Sequence, residues 1–233
     1  MGVPVTTIDP SLPTVTAPPS PASTAFDPTS SFADELERQT TAYVELGIPA
    51  LLGTDEATFR ASVEPLRGTA PGPAPSAVVD GDAVPFVLVV PGLDVNDLAP
   101  AMRRGSKLGV SVIDREEAPT YRALVDVPDG PYLLWAIDTG SEFCNVTPET
   151  ALATVTARGR TPLTIHEGVA LTIVRPDMLR SNKCFSLMGS RTGTNQRVPA
   201  VWISERRAKL GWCWDRNPHT WLGAASAAER AGL

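Results

Sequence analysis

From Ser31 onward the apolar positions follow two different periods, and the periods come in blocks. Phe32, Leu36, Ala42, Tyr43 and Leu46 make up most of one helical stripe. Ser31 stands before them as an N-cap hydroxyl, and Gly47 with Pro49 stops the run. This spacing predicts a helix over 32–46. Thr54, followed by the acids Asp55 and Glu56, opens a second helix whose apolar face is Phe59, Val63 and Leu66. The period then shortens. Residues 85–90, 110–113, 121–126 and 132–138 read as strands, and the unbroken apolar run Phe86–Val90 predicts burial on both faces. Pro128-Asp129-Gly130-Pro131 is a strong turn signal, so 121–126 and 132–138 are expected to pair as a hairpin. Helical signals return at Thr147-Pro148-Glu149, where a capping hydroxyl precedes an N1 proline and a first-turn acid. They recur at Thr164 and Glu167, which have capping-box spacing ahead of Val169, Leu171, Ile173 and Val174. Residues 198–204 and 208–214 are the last strands. Helices and strands in blocks, without strict alternation, predict a single α+β domain with a largely antiparallel sheet and helices packed on it.

The first 31 residues differ in kind. They hold seven prolines and only two charges, Asp9 and Asp27. Proline blocks both helix and central strand, and so little apolar surface cannot offset the entropy of ordering. Residues 1–31 are therefore expected to be an extended or disordered arm, with docking on a protein partner as its natural use. The domain is expected over 32–223, with 224–233 as a C-terminal tail. No run of about 18 apolar residues exists to span a membrane. The first residues lack the basic and apolar regions of a secretory leader. Three cysteines are too few and too odd for a disulfide framework, so free thiols in a reducing cytoplasm are expected.

Charge changes the picture most near the end of the chain. Residues 180–216 carry eight cationic side chains against Glu205 and Asp215, a local +6 in a chain whose total is −6. The total argues against nucleic acid as a partner, while the local excess leaves room for an anion site. A solvated, charged hairpin edge is the competing structural explanation. The stretch Ser181–Gly223 also holds Cys184, Cys213, His219 and four of the five tryptophans. If Arg206-Arg207 form the turn between the last strands, Ile203, Val201 and Pro199 share a core face with Leu210, Trp212 and Trp214. Trp202 then lies across Gly211 on the other face, with Ala200 and Cys213. The loop 189–197 carries Arg191 and Arg197 among hydroxyls and glycines, a composition that can wrap an anion. Asn217-Pro218-His219-Thr220-Trp221 is a constrained turn that holds His219 beside Trp221.

These residues support three readings. In the favoured one, Arg191, Arg197, Trp202, His219 and Trp221 bind an anionic small molecule. In the second, the protein is a non-catalytic assembly or adaptor protein that works through its arm. In the third, Cys184 or Cys213 is a nucleophile with His219 as its base, which requires a lowered thiol pKa. No metal site is expected, because paired ligands of the C-x2-C type are missing. No cofactor is expected either, because no phosphate-binding or dinucleotide motif occurs.

Several words in the chain are longer than chance patterns. They are Asn182–Arg191, Arg197–Ser204, Lys209–Trp214 and Asn217–Gly223, together with Val84–Val90, Asn145–Pro148 and Thr161–Gly168. In these words the chain, over about residues 32–223, resembles an uncharacterised actinobacterial domain family of unknown function. The resemblance implies a single cytoplasmic bacterial domain and implies no activity.

Overall fold

A computed structural model of the protein describes residues 25–69, 72–76 and 79–233. The predicted arm up to residue 24, and any partner it serves, lies outside the described residues. Within them are six α-helices: α1 (Phe32–Glu45), α2 (Ile48–Leu51), α3 (Glu56–Val63), α4 (Val95–Leu98), α5 (Pro148–Ala157) and α6 (Ile165–Val174). Ser31 caps α1, Thr147 caps α5, and the Thr164–Glu167 capping box opens α6. In α3 the cap is Asp55, one residue later than expected, and its carboxylate accepts from the Thr58 amide at 2.8 Å.

The strands, in order, are β1 (Ala83–Val89), β2 (Val110–Ser111), β3 (Arg122–Ala123), β4 (Tyr132–Asp138), β5 (Thr161–Pro162) and β6 (Cys184–Ser186). They continue with β7 (Ser190–Arg191), β8 (Arg197–Ser204), β9 (Arg207–Trp214), β10 (Leu222–Ala224), β11 (Ser226–Ala227) and β12 (Glu229–Ala231). The first five-stranded sheet runs β1-β4-β11-β5, with β12 also on β4, and is antiparallel throughout. The second, β10-β6-β8-β9-β2, is mixed: its two outer pairs are parallel. The α+β class is as expected.

The expected hairpin across Pro128–Pro131 does not form. Every residue of β4 is buried, so its apolar side chains demand a central position, and β1 and β11/β12 occupy its two edges. Arg122 and Ala123 are exposed, and β3 pairs with β7 instead. Residues 224–233, expected as a tail, supply β11 and β12 to the first sheet. In the second sheet the turn is Glu205-Arg206, with Ser204 opposite Arg207 and Val201 opposite Leu210. The partners shift relative to expectation, yet odd residues of β8 still meet even residues of β9, so the two faces keep their membership. Trp202 sits opposite Lys209 and not Gly211, but its indole reaches diagonally over Gly211, where a Cβ would meet it at 2.4 Å.

Helix α6 packs against both β1 and β8, and nearly every one of its residues is buried. A helix apolar all round belongs inside a domain. Gly168 lets it approach closely, since a Cβ there would meet Leu187 at 2.1 Å. Helix α1 covers the open edge of β1. The Gln39 side chain donates to Phe86 O (3.2 Å) and accepts from the Leu88 amide (2.7 Å), taking the place of a neighbouring strand.

The polar centre is Glu167, which is fully buried. Its carboxylate accepts from the Thr164 amide (2.7 Å), from the Tyr132 hydroxyl (2.8 Å), and from Arg230 Nε (2.6 Å) and Nη2 (2.8 Å). One side chain thus joins α6, β4 and β12. Removing one partner of such a pair leaves a buried charge alone, which costs about 3–5 kcal/mol. Arg230→Met is expected to lose that much in urea-denaturation stability. The double variant Glu167→Gln/Arg230→Met should lose less than the two single losses added together.

Candidate functional site

Three loops meet in a broad, open groove of about 740 Å3. The first is the tight turn Arg104–Lys107, closed by a bridge between those residues with Gly105 at φ 59°. The second is the segment Pro176–Ser181, where Pro176 ends α6 and starts a short 3-10 turn. The third is the tip of the β8–β9 hairpin. Four cations line the groove, Arg104, Lys107, Arg180 and Arg206, against the single acid Asp177. That acid already accepts from Arg175 Nη2 at 2.7 Å.

The four cations are held differently. Arg180 pairs with the buried carboxylate of Asp82, which also accepts from the Ser141 amide at 2.7 Å. Lys107 Nζ donates to the Glu205 carbonyl at 2.7 Å, a neutral partner that leaves its charge uncompensated. Arg104 and Arg206 have no side-chain hydrogen bond or ion pair among the described residues. Burial pushes the Asp82 carboxyl up, but the Ser141 amide and the Arg180 guanidinium more than reverse this, so it sits below the usual carboxylate range.

The residues singled out from sequence fall into separate places. Arg191 turns inward, donating to Met188 O (2.7 Å), Ser190 O (3.0 Å) and Asp215 Oδ1 (3.0 Å). Arg197 donates to Glu117 Oε2 at 2.6 Å and stacks over Trp212 at 4.1 Å. Both guanidiniums of the 189–197 region therefore already hold a carboxylate. Trp202, Trp221 and His219 do form a half-buried row, with ring centroids 6.3 Å and 5.3 Å apart. Gly140 and Gly223 let two backbones cross closely, since a Cβ on Gly140 would meet Ala224 O at 1.9 Å. Trp214, expected in the core, is 46% exposed: β2 pairs with β9 only at Lys209 and Leu210, and the Trp214 ring rests edge-on against Trp212 beyond it.

The cysteines are not arranged as a nucleophile would be. No hydrogen bond joins the His219 ring to Cys184 or Cys213 among the described residues. The Cys184 thiol donates to Arg180 O at 3.5 Å, and the Cys144 thiol to Asn182 O at 3.8 Å, so both lie behind the turn that forms one groove wall. Burial pushes all three thiols up, Cys213 to about 12. No group of three or more His, Cys, Asp or Glu side chains among the described residues could hold a metal ion. No helix among them is long and apolar enough to cross a membrane.

Sequence reasoning did not find Arg104, Lys107 or Glu117. Arg104 and Lys107 sit in a short loop with no periodic signal; the only cue was Arg103-Arg104-Gly105-Ser106-Lys107, a basic turn. Arg180 and Arg206 belonged to the basic block already noticed.

The fold and groove together define an α+β domain with a cationic surface cleft. The chain belongs to a family of unknown function, DUF5701, which matches residues 42–233. That range begins inside α1 and includes the closing strands β11 and β12. Searches of curated proteins and of solved structures found no match.

Two expectations follow. Raised pKa values leave little thiolate near neutral pH, so Cys184 and Cys213 should stay unmodified by iodoacetamide at about pH 8 while the unfolded chain is fully labelled. Peptide mass spectrometry reads the difference, and equal labelling in both states would contradict it. Because the folded Asp82 pKa is depressed, its stabilising contribution is present above the ordinary value of 3.8 and is lost as pH falls below it. Thermal stability of the native protein should therefore fall more steeply below about pH 4 than that of Asp82→Asn.

Proposed function

We propose that this protein binds a small anionic ligand in the groove between Arg104–Lys107, Pro176–Ser181 and Arg206. One observation carries the reading: three cations with no carboxylate partner, beside Arg180 and Asp177 that are already paired, line a cleft of about 740 Å3. Surface cations are usually interspersed with acids, as Arg60, Arg67 and Glu37 are here. Uncompensated guanidiniums in a concave site concentrate counter-ions and supply the forked donors that carboxylates and phosphates accept. The volume lies within the range of ordinary small-molecule sites. In this reading Arg191 and Arg197 do not contact the ligand, because each already satisfies a carboxylate.

The test is a thermal-shift series with inorganic phosphate, pyrophosphate and citrate. At least one probe should raise the unfolding temperature of the wild-type protein. The rise should vanish in Arg104→Ala, where loss of charged hydrogen bonds weakens binding by about tenfold or more. It should persist in Arg197→Ala, each variant being compared with its own ligand-free state. No shift with any probe, or loss in Arg197→Ala alone, would overturn the reading.

A further inference from the structure

We propose that the β8–β9 turn is held strained in order to present Arg206, and that the ligand it selects carries a diphosphate. The inference rests on the anion-binding reading of the groove. A two-residue hairpin turn of type I′ needs positive φ at both positions, which is why Asn-Gly and related pairs dominate there. Here the two residues are Glu205 (φ 53°) and Arg206 (φ 65°). Both carry a Cβ into the left-handed region, a conformation that glycine alone adopts freely.

Nothing in the packing of the hairpin asks for these two side chains. Both residues are exposed, and neither side chain makes a hydrogen bond or ion pair among the described residues. Only the Glu205 carbonyl is used, by Lys107, and any residue supplies a carbonyl. What the turn does achieve is to place a guanidinium on the rim of the groove beside Arg104 and Lys107. Backbone strain kept without a structural return points to a functional one.

The charge count names the ligand class. Arg180 is matched by Asp82, and Asp177 by Arg175. Arg104, Lys107 and Arg206 keep their charge, and the nearest unpaired acid, the exposed Glu205 of the same turn, offsets one of the three. A monocarboxylate would leave part of that charge unmatched. A diphosphate monoester carries about three negative charges near neutral pH and offers oxygens to two guanidinium forks at once. The groove is larger than a diphosphate, so space remains for the group esterified to it.

The experiment uses the full chain at one fixed ionic strength. Calorimetric titrations with inorganic pyrophosphate, inorganic phosphate and acetate accompany thermal unfolding without ligand. Wild type should bind pyrophosphate at least about tenfold more tightly than phosphate, and phosphate more tightly than acetate. Glu205→Asn/Arg206→Gly should unfold at a higher temperature than wild type, yet bind pyrophosphate at least about tenfold more weakly. Glu205→Asn alone should also unfold at a higher temperature and keep its pyrophosphate affinity, which separates relief of strain from loss of the guanidinium. The inference is overturned if the double variant binds pyrophosphate like wild type, if it is no more stable, or if wild type binds phosphate as tightly as pyrophosphate. In the last case the broader anion reading stands. If none of the three anions binds, both fail.

Discussion

The structure depends on a charge that has no access to water. Glu167 is placed in the core by its role as a capping-box residue of α6, and a lone carboxylate there would be too costly to keep. It is tolerated because four donors converge on its two oxygens, two of them from Arg230 near the end of the chain. A pair like this adds little net stability over an apolar replacement, but it penalises every arrangement in which the partners miss each other. It therefore ties the fold to one register: β12 must lie on β4 with Arg230 opposite Leu134. A second arginine works beside it. Arg160 donates to the carbonyls of Ala136 and Ser226 and to the Ser226 hydroxyl, close to the break between β11 and β12. Ala136 has φ 50° in the middle of β4, so the guanidinium serves a carbonyl at the point where the strand is least regular.

That frame explains where the groove lies. Helix α6 runs between the sheets and stops at Pro176, and the chain leaving it becomes one wall. Asp82, just before β1, holds that wall through Arg180 and so fastens it to the first sheet. The hairpin tip belongs to the second sheet, and Lys107 ties it to the remaining loop through the Glu205 carbonyl. The groove is thus assembled from the ends of both sheets, each fixed by a polar contact of its own. The cationic excess of residues 180–216 does not form one patch. Arg191 and Arg197 are matched by Asp215 and Glu117 away from the groove, while Arg180 and Arg206 face it.

Much of the fold was legible because its signals are local. Capping hydroxyls, N1 prolines and a capping box depend on residues three or four apart, and they located α1, α5 and α6 closely. The faces of the last hairpin survived an error in the turn, since strand periodicity of two protects parity even when the pairing slips. The failures share a physical cause: they concern partners distant in sequence. The turn at Pro128–Pro131 reverses the chain, but β4 chose β1, about 50 residues earlier, because only a central position could bury both of its faces. Arg230 reads as an ordinary surface cation until Glu167 is seen beside it. The groove was half visible, since Arg180 and Arg206 lay in a recognisably basic block. Arg104 and Lys107 come from a loop that neither period nor motif marks.

The same geometry bears on what chemistry the groove's lining residues could support. A general acid or base needs a titratable group free to change its protonation state near working pH. Among the groove's lining residues the one carboxyl is Asp177. Burial pushes its pKa up, but its pairing with Arg175 prevails and holds it below the ordinary range, so it remains ionised and occupied. Ser106 and Ser181 are exposed hydroxyls with no base hydrogen-bonded to them among the described residues. Cys144 and Cys184 lie behind the wall with their thiols pushed up, and the imidazole of His219 is outside the groove's lining. What the groove presents is cationic side chains with no unpaired carboxylate among its lining residues, which suits the anion binding proposed above.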